Sequence, residues 1–466
     1  MNAKKRLQQH TGFAALLILF LLAQIAVIVQ IWQKPPLWDT AIYIAMGKAL
    51  YSGGTIGFWE TFRPPVLPLL LGLLWKLNVP LIGTTRLLSL AISAGGTAAI
   101  YTGIKDLYSQ EEAVYTAGTL LASSIFFSFT SSLLTGILAS FLVMGSLLLL
   151  RRQQHLAAGI IGSLAFLTRF PAALVGPAAV LYLLLQGYRD HGIRDGVRNA
   201  AIYTASFFGP VLIYLGANAL VFGDPLEPFI DSYSITASNP ATYRFGLYYF
   251  KEAVLSNPVF LLLPVGIWVI VRQREWEYSP FILALTAFYG FFTYFPLKIE
   301  RYTLLFLPLM AFLTARGITA MQQQAEQRIA TEKITRLVIV AVLALAMLYS
   351  FQATYRHKTF IDQDAAAFYQ ETASLTGLVA SNDPVTAAYG DFIYKPLPPG
   401  YLDAQLRELQ GRADYYAING CAWYCTPAIQ QCQSRINSFE QQLQQQYTKT
   451  FSREGETCTF TIYSTG

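Results

Sequence analysis

The sequence predicts a polytopic α-helical membrane protein with about 11 spans, followed by a small α/β domain. Of the 466 residues, 54% are hydrophobic and only 13% are charged. Soluble domains contain about a quarter charged residues, so this composition indicates a bilayer environment. The apolar residues also form long runs instead of alternating, and about 20 of them in a helix cross the hydrocarbon core.

The first of these runs covers residues 12–32 and contains no charged side chain. Lys4, Lys5 and Arg6 precede it, as in a signal peptide. The run is longer than the apolar region of a signal peptide, however, and no small-residue cleavage motif follows it. We therefore expect an uncleaved first span. Further spans are predicted at 86–104, 113–131, 133–150, 156–168, 171–186, 199–222, 258–271, 279–296, 302–315 and 337–352.

The proline-rich stretch Pro64–Leu77 determines the predicted topology, because it is too short to be assigned by length. If it spans the membrane, Arg151 and Arg152 face outward, as does the basic loop 189–198. If it lies in or re-enters the outer interface, these arginines face the cytoplasm, which agrees with the excess of Lys and Arg in cytoplasmic loops. We therefore predict that the amino terminus is inside and the carboxyl terminus outside, in the plasma (inner) membrane.

This topology divides the chain into a membrane module, residues 1–352, and an extracytoplasmic α/β domain, residues 353–466. Two long outer loops, 33–85 and 223–257, belong to the module. In the tail, helical spacing predicts helices at 364–378, 402–409 and 427–447. Runs rich in β-branched and aromatic residues predict strands at 384–390, 414–418, 447–451 and 457–463.

The four cysteines all lie in the tail, at Cys421, Cys425, Cys432 and Cys458. Outside the cytoplasm, cysteines in a small domain pair as disulfides, and any of the three connectivities is open. A Cys₄ zinc site is the competing interpretation, although the spacing lacks the paired CxxC knuckles of zinc ribbons. Free thiols are the third possibility.

The net charge of +6 does not indicate a nucleic-acid partner, because no dense basic stretch accompanies a nucleic-acid-binding fold signature. Several basic residues are nevertheless expected on the outer side, against the usual bias. An anionic ligand at that surface would explain them. The alternative is that their side chains extend to lipid headgroups or pair with nearby acids.

Asp39 stands out among the outer acidic residues because of its setting. It follows Pro35-Pro36-Leu37-Trp38 and begins the amphipathic stretch 40–54. One interpretation is structural: the carboxylate caps the amino terminus of that helix. The functional interpretation is a carboxylate at the bilayer surface that accepts a proton from an attacking hydroxyl or amine.

Three stretches in this region carry a family resemblance: WDTAIYIAMGKALYSGG (38–54), ETFRPPVLPLLLGLLWKL (60–77) and TRLLSL (85–90). Together they resemble the first outer loop of the polyprenyl-phosphate-dependent membrane glycosyltransferases of the GT-C class. More narrowly, they are similar to the protein mannosyltransferases (glycosyltransferase family 39) and their aminoarabinose-to-lipid A relatives. GSLAFLTRFPAALVGPAAVLYLLL (162–185) and KIERYTLLFLPLMAFLTARGI (298–318) agree with this resemblance.

The resemblance implies that Asp39 is the general base and that Arg63 holds the lipid phosphate, with Glu60 close by. Many relatives have an acidic residue at the outer start of a later span, where this chain reads Ser131 to Gly136. The second acid is therefore missing or supplied by another residue, such as Glu60, Asp224 or Glu300.

Further substrate-binding residues follow from the same resemblance. Arg301, flanked by Glu300 and Tyr302 in the ERY motif, would bind the same phosphate as Arg63. Arg169, in LTRFP, is a weaker candidate. The chemistry of this family generally requires no metal, so the resemblance implies no metal and no cofactor. The lipid-linked sugar donor is a co-substrate.

The leading hypothesis is therefore an inverting glycosyltransferase that moves a sugar from a polyprenyl-phosphate donor to an acceptor at the outer face of the membrane. The acceptor is open: a protein, a lipid or a glycan. A transporter or flippase of a lipid-linked anion is the main alternative, although such proteins place charges at the bilayer midplane and contain inverted repeats. A non-catalytic scaffold that presents the tail is a third possibility.

Overall fold

The computed structural model describes residues 3–238, 247–295, 297–328, 332–358, 363–423, 425, 429–455 and 458–466. The chain forms two compact units. The first comprises residues 1–29, 87–237 and 241–357, and the second comprises residues 30–86, 238–240 and 358–466. The first outer loop thus belongs to the same unit as the tail, and the functional division at residue 352 stays a prediction.

The helices follow the apolar runs of the sequence. In chain order the described helices are α1 (Ala3–Gln30), α2 (Trp38–Ser52), α3 (Val66–Lys76), α4 (Leu81–Leu107), α5 (Gln110–Leu121), α6 (Ser124–Thr130), α7 (Thr135–Arg151), α8 (His155–Thr168), α9 (Val175–Gln186), α10 (Ile193–Phe222), α11 (Glu227–Ser238), α12 (Tyr248–Ser256), α13 (Leu263–Gln273), α14 (Ser279–Tyr294), α15 (Leu307–Arg328), α16 (Glu332–Lys358), α17 (Gln363–Thr372), α18 (Val385–Tyr389), α19 (Leu402–Leu409) and α20 (Cys432–Gln446). The described strands are β1 (Leu378–Ser381), β2 (Ile393–Pro396), β3 (Tyr415–Asn419), β4 (Thr448–Glu454) and β5 (Thr459–Ser464).

Each predicted span coincides with a helix or with an interrupted helix. Within the described residues, five helices are long and apolar enough to cross a membrane, or six if the pair α5 and α6, bent by 67°, is one span. The five are Thr11–Gln30, Leu81–Leu107, Phe170–Asp190, Ile193–Phe222 and Ile334–Arg356. Shorter apolar helices account for further predicted spans, and the count of about 11 with its orientation stays a prediction.

Helix α3 occupies the stretch whose role determined the predicted topology. It has 11 residues, which at 1.5 Å per residue give a length of about 16 Å. This is roughly half the thickness of the hydrocarbon core. The length agrees with a segment that does not cross the bilayer.

The tail in the second unit forms an α/β domain, as predicted. Its described residues form a five-stranded sheet in the order β2-β1-β3-β5-β4. Strand β1 pairs in parallel with both β2 and β3, whereas β5 is antiparallel to β3 and β4. Helices α19 and α20 cover one face, where Tyr416 packs near Phe439 in the core. Helix α17 lies on the other, with Phe368 against Phe460.

Several sequence-based assignments in the tail differ from the structure. The predicted helix at 402–409 and the predicted strand at 414–418 are found nearly where expected. The predicted strand at 384–390 is wrong, because Val385–Tyr389 is helical. Asp383 accepts a hydrogen bond from the Val385 amide at 2.9 Å and starts that turn. The predicted helix at 364–378 ends at Thr372, because Gly377 has a left-handed φ of 79° and Leu378 begins strand β1. Neither β1 nor strand β2, at Ile393–Pro396, was predicted.

Candidate active site

Asp39, Glu60 and Arg63 form an ion-pair cluster in the second unit. Arg63 Nε donates to Glu60 Oε2 at 2.5 Å, and Arg63 Nη1 donates to Asp39 Oδ1 at 3.0 Å. The three side chains are 15% to 23% exposed. One guanidinium therefore bridges two carboxylates in a largely buried setting that solvent can still reach.

Helix α2 determines the position of Asp39. The capping residue is Leu37, and no side chain caps the helix, so Asp39 lies inside the first turn and the proposed capping role is wrong. Its carboxylate pairs with Arg63 instead. The helix ends at Gly53, whose φ of 67° is left-handed.

Tyr43 completes the surroundings of the guanidinium. It lies one helical turn after Asp39 on the same face of α2, and its hydroxyl accepts from Arg63 Nη1 at 3.4 Å. The Tyr43 and Phe62 rings lie 5.3 and 5.5 Å from Arg63 Cζ, a favourable arrangement for a cation. Sequence reasoning missed Tyr43, although its four-residue spacing from Asp39 could have indicated it.

The cluster contains two acidic side chains, Asp39 and Glu60, and one basic side chain, Arg63. Burial raises the pKa of Glu60 above its usual value, although the charge of Arg63 opposes this shift. Burial also disfavours the charged form of Arg63, but Tyr43, Glu60 and Asp39 outweigh burial and raise the pKa of Arg63. Arg63 therefore stays protonated. When both carboxylates are ionised, one negative charge remains uncompensated within the cluster.

Trp59 adds a polar group beside this cluster in the chain. Its indole Nε1 is buried and has no hydrogen-bond acceptor among the described residues. A buried donor without a partner costs about 1–3 kcal/mol. An oxygen of a bound ligand would satisfy it, and the sequence offered no signal for this.

In the first unit, the structure brings together two other predicted residues, Arg169 and Tyr302. The Arg169 Cζ lies 5.1 Å from the centre of the Tyr302 ring, and Arg169 Nη1 donates to Thr135 Oγ1 at 3.2 Å. Arg169 has extended backbone between α8 and the 3-10 turn that precedes α9. Tyr302 lies in the 3-10 turn before α15.

The remaining candidates of the ERY motif lie in the same turn. Glu300 is exposed and Arg301 is half-buried. Nearby, Lys298 has a structural role, because its ammonium donates to the main-chain carbonyls of Phe292 and Thr293 at 2.6 and 2.8 Å near the end of α14. Arg169, Glu300, Arg301 and Tyr302 belong to the first unit, whereas Asp39, Glu60 and Arg63 belong to the second.

The four cysteines form two disulfides, which confirms the predicted state and selects one connectivity. Cys421 pairs with Cys458 and Cys425 pairs with Cys432, with Cα atoms 5.4 and 5.8 Å apart. The first pair joins the end of β3 to the start of β5. The zinc interpretation and the free-thiol interpretation are both wrong for these residues.

Metal-ligating residues are dispersed in the part of the chain that the structure describes. No three His, Cys, Asp or Glu side chains there are grouped so that they could hold a metal ion. The expectation that the chemistry needs no metal or cofactor stays a prediction.

Comparison with known proteins agrees with the resemblance predicted from the sequence. The family model described as dolichyl-phosphate-mannose-protein mannosyltransferase matches residues 62–214, which include Arg63 and Arg169. No protein of curated function matches the chain by sequence.

Solved structures match over almost the whole chain. ArnT from Cupriavidus metallidurans, bound to undecaprenyl phosphate, matches with a TM-score of 0.70 and 14% identity over 98% of both chains. The oligosaccharyltransferase AglB from Archaeoglobus fulgidus, in complex with an inhibitory peptide and a dolichol-phosphate, matches with a TM-score of 0.62 and 12% identity. That match covers 100% of this chain and 75% of AglB.

At these identities the likeness establishes the fold. The predicted resemblance to the GT-C membrane glycosyltransferases is therefore confirmed: the chain has their fold, with several apolar helices and a small carboxyl-terminal sheet. This fold and the long apolar helices of the described residues indicate an integral membrane protein.

Proposed function

We propose that this protein transfers a sugar from a polyprenyl-phosphate-linked donor to an acceptor at the outer surface of the membrane. The main support is the cluster in which Arg63 holds the Asp39 carboxylate at the start of α2, in a chain with the GT-C fold. The matching ArnT structure contains undecaprenyl phosphate, and the matching AglB structure contains a dolichol-phosphate. These ligands support a polyprenyl phosphate as the carrier.

In the proposed reaction, Asp39 accepts the proton of the attacking hydroxyl or amine. The nucleophile forms a bond to the anomeric carbon of the sugar. The bond from that carbon to the donor phosphate oxygen breaks, and the phosphate leaves with the electron pair. Attack from the opposite face inverts the anomeric configuration. No metal or cofactor is required in this scheme.

The contacts of Arg63 favour a role that differs from phosphate binding alone. Its Nε donates to Glu60 and its Nη1 donates to Asp39 and Tyr43, so a phosphate would be bound through the N–H groups of Nη2 while both carboxylates stay in place. We propose that its first task is to orient Asp39. Because Glu60 offsets the charge of Arg63, Asp39 keeps the basicity that a general base needs.

Arg169 is the candidate phosphate ligand of the first unit. A planar guanidinium can donate to two phosphate oxygens at once, which suits a leaving group that gains negative charge. The contact of Arg169 with Tyr302 and its hydrogen bond to Thr135 orient its side chain. Arg301 and Glu300 remain proposed substrate-binding residues.

We further propose that the amino terminus is cytoplasmic and that the tail faces outward from the inner membrane. Disulfides form and persist in oxidising compartments and are rare in the cytosol. The two disulfides of the tail support this orientation. Labelling of tail lysines by an impermeant reagent in intact cells would check it, and protection of the tail would contradict it.

The test of the proposed function is the substitution Asp39→Asn. It keeps the shape and the hydrogen bond but removes the base, so we expect release of polyprenyl phosphate from lipid-linked sugars to fall about 10²- to 10⁴-fold. Asp364→Asn is the matched control, because Asp364 also pairs with an arginine, Arg453, at 3.4 Å in the same unit.

The control should retain wild-type activity and both variants should insert and fold normally. Full activity of Asp39→Asn would contradict the assignment. A protein that moves the lipid without cleaving it would release no polyprenyl phosphate even as wild type, which would favour the transporter alternative.

A further inference from the structure

The outer loop that contains Glu60 and Arg63 pairs with the sheet of the carboxyl-terminal domain. The Gly57 amide donates to the Phe392 carbonyl at 2.7 Å, and the Tyr394 amide donates to the Gly57 carbonyl at 3.1 Å. These bonds form a parallel bridge between Gly57 and Ile393. Because β2 is an edge strand, the loop covers backbone groups that would otherwise be open to pairing.

Side chains reinforce this attachment. The ring of Phe58 lies 4.5 Å from the ring of Tyr394, a distance that favours aromatic packing. Burial raises the pKa of the Tyr394 phenol, and the charges of Asp383 and Glu60 raise it further. The attachment therefore reaches the proposed active-site cluster within the same unit.

A second attachment holds helix α2. Lys48 is only 3% exposed, and its ammonium donates to the carbonyls of Ala387, Ala388 and Gly390 at 3.2, 3.1 and 2.8 Å. It also pairs with Asp391 at 3.0 Å. These carbonyls lie at the carboxyl end of α18, where a positive charge is favourable. Lys48 thus caps a helix of the tail from within α2.

In sequence, the two attachments lie between Asp39 and Glu60, so residues of the proposed catalytic cluster flank them on both sides. Asp39 precedes Lys48 on α2, whereas Glu60 and Arg63 follow Gly57 in the loop. The bonds between these three side chains are 2.5 and 3.0 Å long. If either attachment opened, one carboxylate would move relative to the guanidinium, and misplacement by about 1 Å can lower a rate about 100-fold.

We propose that the carboxyl-terminal domain positions the catalytic loop of this protein, with Gly57 and Lys48 as the positioning residues. Strand β2 holds the segment 57–63, and the end of α18 holds α2, so that Asp39 and Glu60 remain bonded to Arg63. The kinetic consequence rests on the proposed transfer reaction, whereas the attachment itself does not.

Gly57→Ala tests the attachment at β2, and the chain offers a close control. Gly57 has a φ of +74°, and an added Cβ would lie 2.3 Å from the Ala45 carbonyl oxygen. Gly54, in the same loop, has a φ of +85° and nothing within 4 Å of such an atom. Gly54→Ala therefore has similar backbone strain without the clash. Only the first variant should displace the segment 57–63.

For Gly57→Ala in the full-length protein, we expect faster amide hydrogen exchange over residues 57–63 and a kcat lowered about 10- to 100-fold. The donor KM should change by less than about threefold, since no substrate contact is removed. Exchange in strands β3, β4 and β5 should stay at the wild-type rate. A protein that is merely destabilised would show faster exchange there as well.

Lys48→Met tests the second attachment. It also keeps the inference testable if Gly57→Ala fails to fold. It leaves the carbonyls at the end of α18 without a donor, so exchange should increase in α2 and kcat should fall. Lys395→Met is the control, because Lys395 pairs with Glu408 at 3.2 Å in an exposed setting.

Unchanged exchange and kcat in both Gly57→Ala and Lys48→Met would overturn the inference. Equal losses in each variant and its control would overturn it as well, since they would show general sensitivity to substitution. If the two variants showed faster exchange but the wild-type protein transferred no sugar, the proposed function would be overturned and the attachment would stand.

Discussion

The substitution Arg63→Lys tests whether one planar guanidinium must serve two carboxylates at once. In the structure, Nε donates to Glu60 and Nη1 donates to Asp39 at 2.5 and 3.0 Å. Lysine keeps the charge but has a single ammonium on a flexible stem. We expect it to retain one of the two contacts and to lose the stacking on Tyr43.

The magnitude follows from the lost contact. A hydrogen bond to a charged group contributes about 1.5–3 kcal/mol, and every 1.36 kcal/mol on the barrier changes the rate tenfold. Arg63→Lys should therefore lower kcat/KM by about 10- to 150-fold. Arg63→Met should have a larger effect, because it leaves Asp39 and Glu60 side by side without a counter-ion.

Initial rates of polyprenyl phosphate release from lipid-linked sugars, measured in purified and reconstituted protein, give kcat/KM for each variant. Arg453→Lys is the matched control. It pairs with Asp364 at 3.4 Å with 53% of its side chain exposed, so its loss should be within measurement error. If Arg63→Lys kept more than half of the wild-type kcat/KM, the two-carboxylate bridge would not be part of the mechanism.

Three further substitutions probe the site and the tail. Tyr43→Phe removes a 3.4 Å hydrogen bond to Arg63 but keeps the ring, so kcat/KM should fall less than about fivefold; a loss as large as that of Arg63→Met would contradict this. Because burial raises the pKa of Glu60, its contribution to stability is present below the ordinary glutamate pKa and is lost as pH rises through the raised value. Glu60→Gln should therefore leave the melting temperature at pH 7 equal to or above that of the wild type, while activity falls. A melting temperature at pH 7 below that of the wild type would contradict the predicted direction of the stability change. Cys421→Ser breaks the pair with Cys458, 37 residues apart, and should cost about 4 kcal/mol of tail stability, against about 2.5 kcal/mol for Cys425→Ser, whose partner is 7 residues away; urea unfolding would check the order.

Much of the fold was predictable because it depends on local patterns. A helix in a bilayer must satisfy its own backbone and bury apolar side chains, so runs such as residues 12–32 indicate both helix and membrane. The helix at 402–409, in the tail, was predicted from its helical spacing, which is also a local pattern. The oxidised state of the cysteines followed from their confinement to the tail after the last predicted span.

Local patterns failed where a distant or neighbouring group decided the conformation. Val385–Tyr389 contains β-branched residues that favour a strand, yet Asp383 and Pro384 start a helical turn there. Strand β2 exists because it pairs with β1 and with Gly57, which no single window of sequence contains. Pairing of this kind depends on where the chain returns in space.

The sequence by itself determined that this is a helical membrane protein, and its motifs indicated Asp39, Glu60 and Arg63 as residues to inspect. Only the tertiary structure decided that these three side chains bond to one another, that Tyr43 joins them and that Lys48 is buried against the tail. The physical reason is the distance along the chain over which each interaction acts. Hydropathy and helical periodicity act over a few turns, whereas an ion pair requires two distant segments to meet within about 4 Å.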